Sequence, residues 1–328
     1  MNKINKLSWR KAFNALKVYF SYLMALIFKT SPRYGYPITL SVEPTTACNL
    51  SCVQCPVGIK TITRPQGAID FDLFKKITDE TAPYISAMIL YFQGEPFMSR
   101  DFFRCAEYAS KTKNIYTVSS TNGHYLSENN AYKLINSGLD ELIISLDGIS
   151  PESYGAYRKG GDVEMVMKNI ERLLGLRKEL GASSPKVILQ TLILKSNRHE
   201  IEAIKQFAKR VGADRLEFKK AQFYNFEAGH ELMPEADKHS RYRKNSNGRW
   251  ELKGKLKNRC RRLWETSVIT WDGDVLPCCF DKNAEHAFGS IKNASFKTIN
   301  NGKKARAFRK KLLNNRSETE ICRNCTEV

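Results

Sequence analysis

Apolar and polar positions alternate in a way that predicts strands and helices in turn from residue 38 onward. Short β-branched and apolar runs predict six strands, at residues 38–42, 87–92, 115–119, 141–146, 186–194 and 215–218. Helical spacing predicts five helices between them, at residues 70–82, 102–112, 127–137, 163–180 and 199–211. Pro151 and the pair Gly160-Gly161 interrupt the fourth connection.

This alternation predicts the fold class. Regular β–α repeats give a parallel sheet with helices outside it, and six strands are too few for the closed eight-stranded barrel. We therefore predict a partial (β/α)6 TIM-like barrel whose site lies at the C-terminal ends of its strands.

The pattern changes after about residue 223. Residues 238–262 are basic and turn-rich, and the chain after residue 223 contains five cysteines. Trp271-Asp-Gly-Asp274 predicts a hairpin turn between strands at 267–270 and 275–276. We predict a small cysteine-rich domain from residue 236 to 328, whose own core is thin without a metal or a cluster.

The first 37 residues form a separate basic segment. Apolar residues recur at helical spacing and predict an amphipathic helix; they are Trp9, Phe13, Leu16, Phe20, Leu23 and Ile27. The apolar run at 18–28 is too short to span a bilayer, and no small-residue cleavage site follows it. Two interpretations stay open: the helix lies on a membrane surface, or it packs on the protein, which we favour.

Charge is large and uneven. The chain of 328 residues has a formal net charge of +19, and residues 1–42 contain no acid. Residues 238–262 contain Glu251 as their one acid, and residues 303–316 contain none. Such stretches suit nucleic acid, anionic lipid or an anionic substrate, or simply a solvated surface, so charge alone names no partner.

The spacing of the nine cysteines favours metal or cluster binding in a reducing compartment. Cys48, Cys52 and Cys55 lie within eight residues, directly after the first predicted strand. A [4Fe–4S] cluster normally takes four cysteines, so a three-cysteine loop leaves one iron open to a reactant. The alternative is a structural zinc site that takes its fourth ligand from elsewhere.

Cys48-Asn-Leu-Ser-Cys52-Val-Gln-Cys55, with Gln93-Gly94-Glu95-Pro96 after the second strand, resembles the radical S-adenosylmethionine (SAM) superfamily. The resemblance implies that the three cysteines hold a [4Fe–4S] cluster whose open iron binds the amino and carboxylate groups of SAM. One electron then cleaves the sulfonium, and the resulting 5′-deoxyadenosyl radical abstracts hydrogen from a substrate.

The resemblance also implies the residues that bind SAM. Gly94, Glu95 and Pro96 correspond to the family segment at the methionine amino group, although Gln93 stands where a glycine is usual and Gln54 where an aromatic residue is common. Residues at later strand ends or beyond resemble segments that line the cofactor pocket; they are Asn122, Ser145, Asp147 and Arg158. Turn formation is the alternative explanation for the Asn-Gly and Asp-Gly pairs.

The C-terminal cysteines resemble the SPASM/twitch extension of this superfamily. The resemblance implies one auxiliary [4Fe–4S] cluster, held by Cys260, Cys278, Cys322 and Cys325. A zinc ribbon is the alternative. Cys279 either replaces Cys278 as a ligand or faces the substrate as a hydrogen-atom donor. Asp281 is a candidate proton acceptor, with an ordinary exposed loop aspartate as the alternative.

These observations together predict a radical SAM oxidoreductase or maturase with three segments: residues 1–37, a catalytic core at 38–235 and the cysteine-rich domain at 236–328. The expected partners are an electron donor such as flavodoxin or ferredoxin and an unidentified small-molecule, peptide or protein substrate. We expect a cytoplasmic location, with peripheral contact at the inner membrane face through residues 1–28 as an option. The competing hypothesis is a non-catalytic iron–sulfur or zinc protein that binds nucleic acid through its basic stretches, which predicts strongly salt-dependent binding.

Overall fold

A computed structural model describes residues 6–235 and 238–325, and a mostly parallel eight-stranded sheet dominates it. The strands are β1 (Thr39–Val42), β2 (Ala87–Ile89), β3 (Tyr116–Thr121), β4 (Glu141–Ser145), β5 (Lys186–Ile193), β6 (Arg215–Lys220), β7 (Tyr242–Lys244), β8 (Trp250–Leu252), β9 (Thr266–Ile269) and β10 (Val275–Leu276). The sheet has the order β10-β9-β1-β2-β3-β4-β5-β6, and β7 and β8 form a separate hairpin. The predicted α/β fold class and all six predicted strands are confirmed.

Helices cover most of the connections between strands. They are α1 (Trp9–Phe28), α2 (Phe71–Thr81), α3 (Phe102–Glu107), α4 (Glu128–Asn136), α5 (Pro151–Tyr157), α6 (Val163–Glu179), α7 (Ile201–Val211), α8 (Arg262–Glu265), α9 (Phe296–Asn300), α10 (Lys303–Asn314) and α11 (Glu320–Arg323). Asp70, Ser127 and Asp162 cap α2, α4 and α6 by accepting the backbone N–H three residues ahead. The helix predicted at 102–112 is α3 followed by a π-helical turn, Tyr108–Thr112.

The sequence pattern missed α5. It treats Pro151 as an interruption, whereas Pro151 is the first residue of this helix and Ser150 caps it by accepting the N–H of Ser153. Proline is well suited to this position, because the first N–H of a helix has no intrahelical partner.

The hairpin predicted around Asp272-Gly273 is confirmed as β9 and β10. Gly273 has a φ of 96°, in the left-handed region that a tight turn requires and glycine accepts. The first strand of this hairpin also pairs in parallel with β1, which the sequence pattern did not predict.

The chain forms two compact units. The first contains the described residues up to 47, residues 62–118 and the described residues from 256 onward. One of its apolar cores joins α1 to the C-terminal region through Val18, Ala25, Leu263, Trp264 and Leu312.

The second unit contains residues 48–61 and 119–255, apart from the two residues that the structure does not describe. Its core includes Leu50 and Cys52 of the cysteine loop, packed with Tyr157, Phe223 and Tyr242. The loop that carries the predicted cluster ligands is therefore anchored by apolar burial.

The predicted N-terminal amphipathic helix is confirmed as α1, and it packs on the protein as expected. The apolar stripe does not make this contact. The six stripe residues are 52–74% exposed, and the opposite face is buried through Lys11, Asn14, Val18, Ser21 and Ala25. Within the described ranges, no helix is long and apolar enough to cross a membrane.

Candidate active site

The loop after β1 carries three cysteines in one short segment. Cys52 is buried, and Cys48 and Cys55 are partly exposed. All nine cysteines lie in the described residues, and none forms a disulfide bond. Burial raises the pKa of the Cys52 thiol to about 11. The nearby guanidinium of Arg158 opposes this rise, and Cys55 and Cys48 add to it. The loop therefore carries three thiols, of which Cys48 and Cys55 are partly exposed and lie close enough to Cys52 to affect it.

Backbone hydrogen bonds hold this loop against the C-terminal end of α5 and the residues that follow it. The Ser51 N–H donates to the Lys159 carbonyl at 2.9 Å, and the Val53 N–H donates to the Tyr157 carbonyl at 3.1 Å. Gly58 passes so close to the loop that a Cβ atom there would lie 2.5 Å from the Cys52 nitrogen. Loop geometry thus depends on a glycine that the sequence analysis did not single out.

Arg158 and Asp147 form a buried ion pair in the second unit. The Nη2 and Nε atoms of Arg158 both lie 2.7 Å from Asp147 Oδ2, and the Leu192 N–H donates to Asp147 Oδ1 at 2.6 Å. Burial lowers the pKa of Arg158, but Asp147 above all, with Cys52, Tyr154 and Tyr157, outweighs it, and the net pKa is raised. Asp147 therefore orients Arg158. Ser145 ends β4 nearby in sequence and is partly exposed.

Asn122 links β3 to the cysteine loop through its side chain. Its Nδ2 atom donates to Asn49 Oδ1 at 2.8 Å and lies 4.0 Å from Cys48 Sγ. Its Oδ1 atom lies 3.0 Å from His124 Nδ1, while His124 Nε2 accepts the Asp162 N–H at 2.9 Å. Burial lowers the pKa of His124, so the neutral imidazole that Nε2 acceptance requires is favoured. The sequence analysis did not single out His124, because a lone histidine has no ligand spacing.

Gly94, Glu95 and Pro96 lie in the first unit, against the backbone that leads into the cysteine loop. The Glu95 N–H donates to the Ala47 carbonyl at 2.7 Å, and Glu95 is 2% exposed. A Cβ atom on Gly94 would lie 2.5 Å from the Thr45 carbonyl oxygen, and Gly94 has a φ of 72°. Glycine is therefore required at this position on two counts.

The C-terminal cysteines lie close to one another in the first unit. Burial raises the pKa of Cys278, and the neighbouring Cys279 adds more to the rise than Cys260 and Cys322 do. Burial likewise raises the pKa of Cys322, to about 11, and Cys325 adds to the rise. The choice of Cys278 over Cys279 as a cluster ligand stays a prediction.

Arg316 is fully buried beside these cysteines, and sequence analysis missed it inside a basic stretch. Its Nη1 atom donates to the Arg259 carbonyl at 2.9 Å. Burial lowers its pKa, but Cys260, Cys325 and Cys322 raise it more. A permanent cation thus lies among the thiols that would carry negative charge as cluster ligands.

Cys279 and Asp281 lie just beyond β10. Cys279 is partly exposed. Asp281 is 1% exposed, so the interpretation as an exposed loop aspartate is wrong. Its carboxylate accepts hydrogen bonds from the N–H groups of Glu285 and His286 at 2.9 and 3.0 Å and thereby closes the following turn.

The donor sets fit iron–sulfur clusters in their chemistry. Three thiols on one loop suit a cubane with an open iron, and four further thiols suit a fully ligated cluster. In the part of the chain that the structure describes, no three His, Cys, Asp or Glu side chains form a group that could hold a single metal ion.

Comparison with protein families gives two matches. Residues 42–208 match the radical SAM superfamily, and residues 260–326 match the SPASM iron–sulfur cluster-binding domain. These matches favour clusters over zinc at both sites, and they do not favour the nucleic-acid-binding alternative.

Individual relatives agree with these matches. The chain is 33% identical to an AdoMet-dependent heme synthase of Methanosarcina barkeri over 178 residues, which is 54% of this chain and 48% of that protein. The chain thus spans about half the length of this curated relative.

Solved structures show the same fold. BtrN in complex with AdoMet and 2-DOIA gives a TM-score of 0.57 at 19% identity, covering 89% of this chain and 94% of that one. Streptococcus suis SuiB bound to its precursor peptide SuiA gives 0.60 at 13% identity, covering 92% and 73%. The chain therefore belongs to the radical SAM superfamily, with S-adenosylmethionine and [4Fe–4S] clusters as its cofactors and a SPASM iron–sulfur cluster-binding domain at residues 260–326.

Proposed function

We propose that this chain reductively cleaves SAM and uses the product to oxidise or modify a substrate. When bound, the cluster and SAM supply a 5′-deoxyadenosyl radical that abstracts a hydrogen atom. Cys48, Cys52 and Cys55 would hold this cluster within a catalytic core at residues 38–235. The observation that carries the proposal is the cysteine loop, anchored by Cys52 in an apolar core and with two thiols partly exposed.

Arg158 and Asp147 have different roles in the proposed binding of SAM. We assign Arg158 to the SAM carboxylate, since a guanidinium makes strong charge-assisted bonds to carboxylates. Asp147 acts as a positioning residue, because both of its oxygens already accept hydrogen bonds from Arg158 and from the Leu192 N–H.

The remaining SAM ligands belong to three strand ends. Gly94, Glu95 and Pro96 would serve the methionine amino group, for which the Glu95 carboxylate is a suitable acceptor. Asn122 and Ser145 would serve the rest of the molecule. The hydrogen bond between Asn122 and Asn49 and the contact of Asn122 with His124 fix the orientation of the Asn122 amide.

Cys260, Cys278, Cys322 and Cys325 would hold the auxiliary cluster in a domain at residues 236–328. The buried cation of Arg316 offsets the negative charge of the cysteine thiolates. Cys279 is the candidate hydrogen-atom donor and Asp281 the candidate proton acceptor beside this site.

The substrate class that we propose is a small molecule, a peptide or a protein. BtrN, solved with 2-DOIA, and SuiB, solved with a precursor peptide, share the fold and differ in what they hold. Electrons would come from a protein donor such as flavodoxin or ferredoxin, for which the basic surface of the chain is a suitable electrostatic partner.

The test is anaerobic cluster reconstitution, dithionite reduction and chromatographic detection of 5′-deoxyadenosine. We expect about eight irons per chain. Cys52→Ala should abolish 5′-deoxyadenosine, whereas the matched control Cys105→Ala, at a buried cysteine outside both sets, should retain it. Cys322→Ala should lower iron to about four per chain. Product formation by Cys52→Ala would refute the proposal.

A further inference from the structure

Helix α1 presents a stripe of large apolar side chains to solvent. At about 100° per residue, Trp9, Phe13, Leu16, Phe20, Leu23 and Ile27 fall within a band about 80° wide. Each of the six is more than half exposed, and Tyr19 and Phe28 extend the same exposed surface. A contiguous apolar stripe of this kind on a folded protein marks an interaction site.

The opposite face of α1 fixes this orientation through polar contacts. Asn14 Nδ2 donates to the Tyr36 and Tyr84 carbonyls at 3.0 and 3.1 Å, and the Tyr36 N–H donates back to Asn14 Oδ1 at 2.8 Å. Lys11 Nζ donates to the Asn114 carbonyl at 3.1 Å. These bonds would be lost if the helix turned its apolar stripe inward, so the outward stripe is a specified feature.

Cations and aromatic rings border the stripe on one side. Lys17 Nζ lies 4.5 Å from the ring centroid of Phe13, and Arg10 lies over Trp9 at 5.6 Å. Beside them is a cavity of about 370 Å³, lined by these four side chains together with Asn14, Tyr34, Gly35, Tyr36, Tyr84 and Lys297. Arg10, Lys17 and Lys297 are all exposed, so this edge is positively charged.

We propose that α1 docks on the surface of an anionic phospholipid bilayer, lying in the plane of the interface. The apolar stripe would enter the boundary of the acyl chains, and Arg10, Lys17 and Lys297 would meet lipid phosphates. Aromatic side chains with polar tips, such as Trp9 and Tyr34, favour this interfacial depth.

Charge argues for this occupant over a second copy of the chain. Two stripes in contact would bring the cationic edges of two molecules together, each molecule carrying a net charge of +19 and no acid in residues 1–42. An anionic surface instead neutralises this charge. The helix has 20 residues and is thus about 30 Å long, which gives a flat contact along its whole length.

The test uses the cluster-loaded full chain in flotation assays with two kinds of vesicle. One is pure phosphatidylcholine, and the other contains about a third phosphatidylglycerol. The stripe variant Leu16→Gln, Phe20→Gln, Leu23→Gln keeps good helix formers. We expect it to bind anionic vesicles more than about a hundredfold more weakly than the native chain.

The matched control replaces three exposed apolar residues elsewhere, as Tyr132→Gln, Met165→Gln, Leu180→Gln, and should bind like the native chain. Arg10→Gln with Lys17→Gln should weaken binding to anionic vesicles about fivefold for each cation. The control for charge is Lys168→Gln with Lys178→Gln, at two exposed lysines of α6, and should have a smaller effect. Circular dichroism and iron content must match the native chain for every variant.

Four outcomes would overturn the proposal. They are no binding by the native chain, binding unchanged in the stripe variant, equal binding to neutral vesicles, or a native dimer that the stripe variant converts to a monomer. The last would identify a second copy as the occupant. Failure of SAM cleavage in the assay above would leave this proposal unaffected, because vesicle binding needs no turnover.

Discussion

Replacing Asp147 by asparagine tests whether this residue orients Arg158 or contacts SAM itself. The ion pair is buried, with side-chain exposures of 13% for Arg158 and 1% for Asp147. The asparagine amide could still accept the Leu192 N–H but would leave the guanidinium without its counter-charge. Removing one partner of a buried pair costs about 3–5 kcal/mol.

The double variant separates the two roles. Arg158→Gln alone should cost a similar amount, since it leaves a buried carboxylate without its cation. With both charges removed, the two amide side chains that replace them form a neutral pair. We therefore expect Asp147→Asn with Arg158→Gln to be about 2–3 kcal/mol less destabilised than the sum of the single variants.

The assay is urea unfolding of the four cluster-loaded proteins under anaerobic conditions, followed by circular dichroism. Each single variant should lower the midpoint by about 1 M urea or more, and the double variant should recover part of this loss. SAM binding is measured in parallel by equilibrium dialysis. Additive destabilisation would refute the positioning role. So would an Asp147→Asn protein of native stability that no longer binds SAM, because that result assigns Asp147 to the cofactor.

Three further predictions follow from single contacts. Gly94→Ala should destabilise the protein by more than about 1 kcal/mol, because its φ is 72° and the added Cβ would lie 2.5 Å from the Thr45 oxygen; thermal unfolding measures this, and a native melting temperature would contradict it. Burial lowers the pKa of His124, so the stability that its neutral form contributes is present above about pH 6.5 and lost as the pH falls through the lowered pKa. His124→Gln should therefore weaken the fall of the melting temperature toward acid pH. An unchanged fall would exclude His124 as its source. Arg316→Gln removes a buried cation and should lower the reduction potential of the auxiliary cluster by about 60 mV or more, whereas Arg316→Lys should stay closer to native. A redox titration followed by electron paramagnetic resonance measures both potentials. Equal potentials for both variants and the native chain would contradict this prediction.

The sequence predicts those features that depend on local spacing. The cysteine triplet and the Gln93-Gly94-Glu95-Pro96 segment each lie within a few consecutive residues. Each strand and helix is likewise recognised from one short run of the sequence. Periodicity and covalent spacing constrain such features directly. The fold class and the six strands predicted from residue 38 to 218 are therefore confirmed, whereas α5, the β7–β8 hairpin and the pairing of β9 with β1 were missed.

Features that depend on distant partners could not be predicted in this way. The role of His124 depends on the Asp162 N–H, 38 residues away, and the burial of Arg316 depends on the Arg259 carbonyl, 57 residues away. A basic stretch on a helical segment is usually solvated, and nothing in residues 303–316 distinguishes the buried arginine from its neighbours.

The orientation of α1 shows the same limit. Helical periodicity identified the apolar stripe but did not indicate which face of the helix packs on the protein. The decisive contacts come from the Tyr36 and Tyr84 carbonyls, which bond Asn14 from segments 22 and 70 residues away. A polar residue within a helical pattern indicates the solvent side in most helices, and here it indicates the buried side.

The most direct test of the central claim is electron paramagnetic resonance of the dithionite-reduced, cluster-loaded chain with and without SAM. We expect SAM to change the signal of the cluster on Cys48, Cys52 and Cys55, both in the native chain and in Cys322→Ala. The change should be absent from Cys52→Ala, which retains only the auxiliary signal. A native spectrum that is indifferent to SAM, or a SAM response that survives in Cys52→Ala, would contradict it.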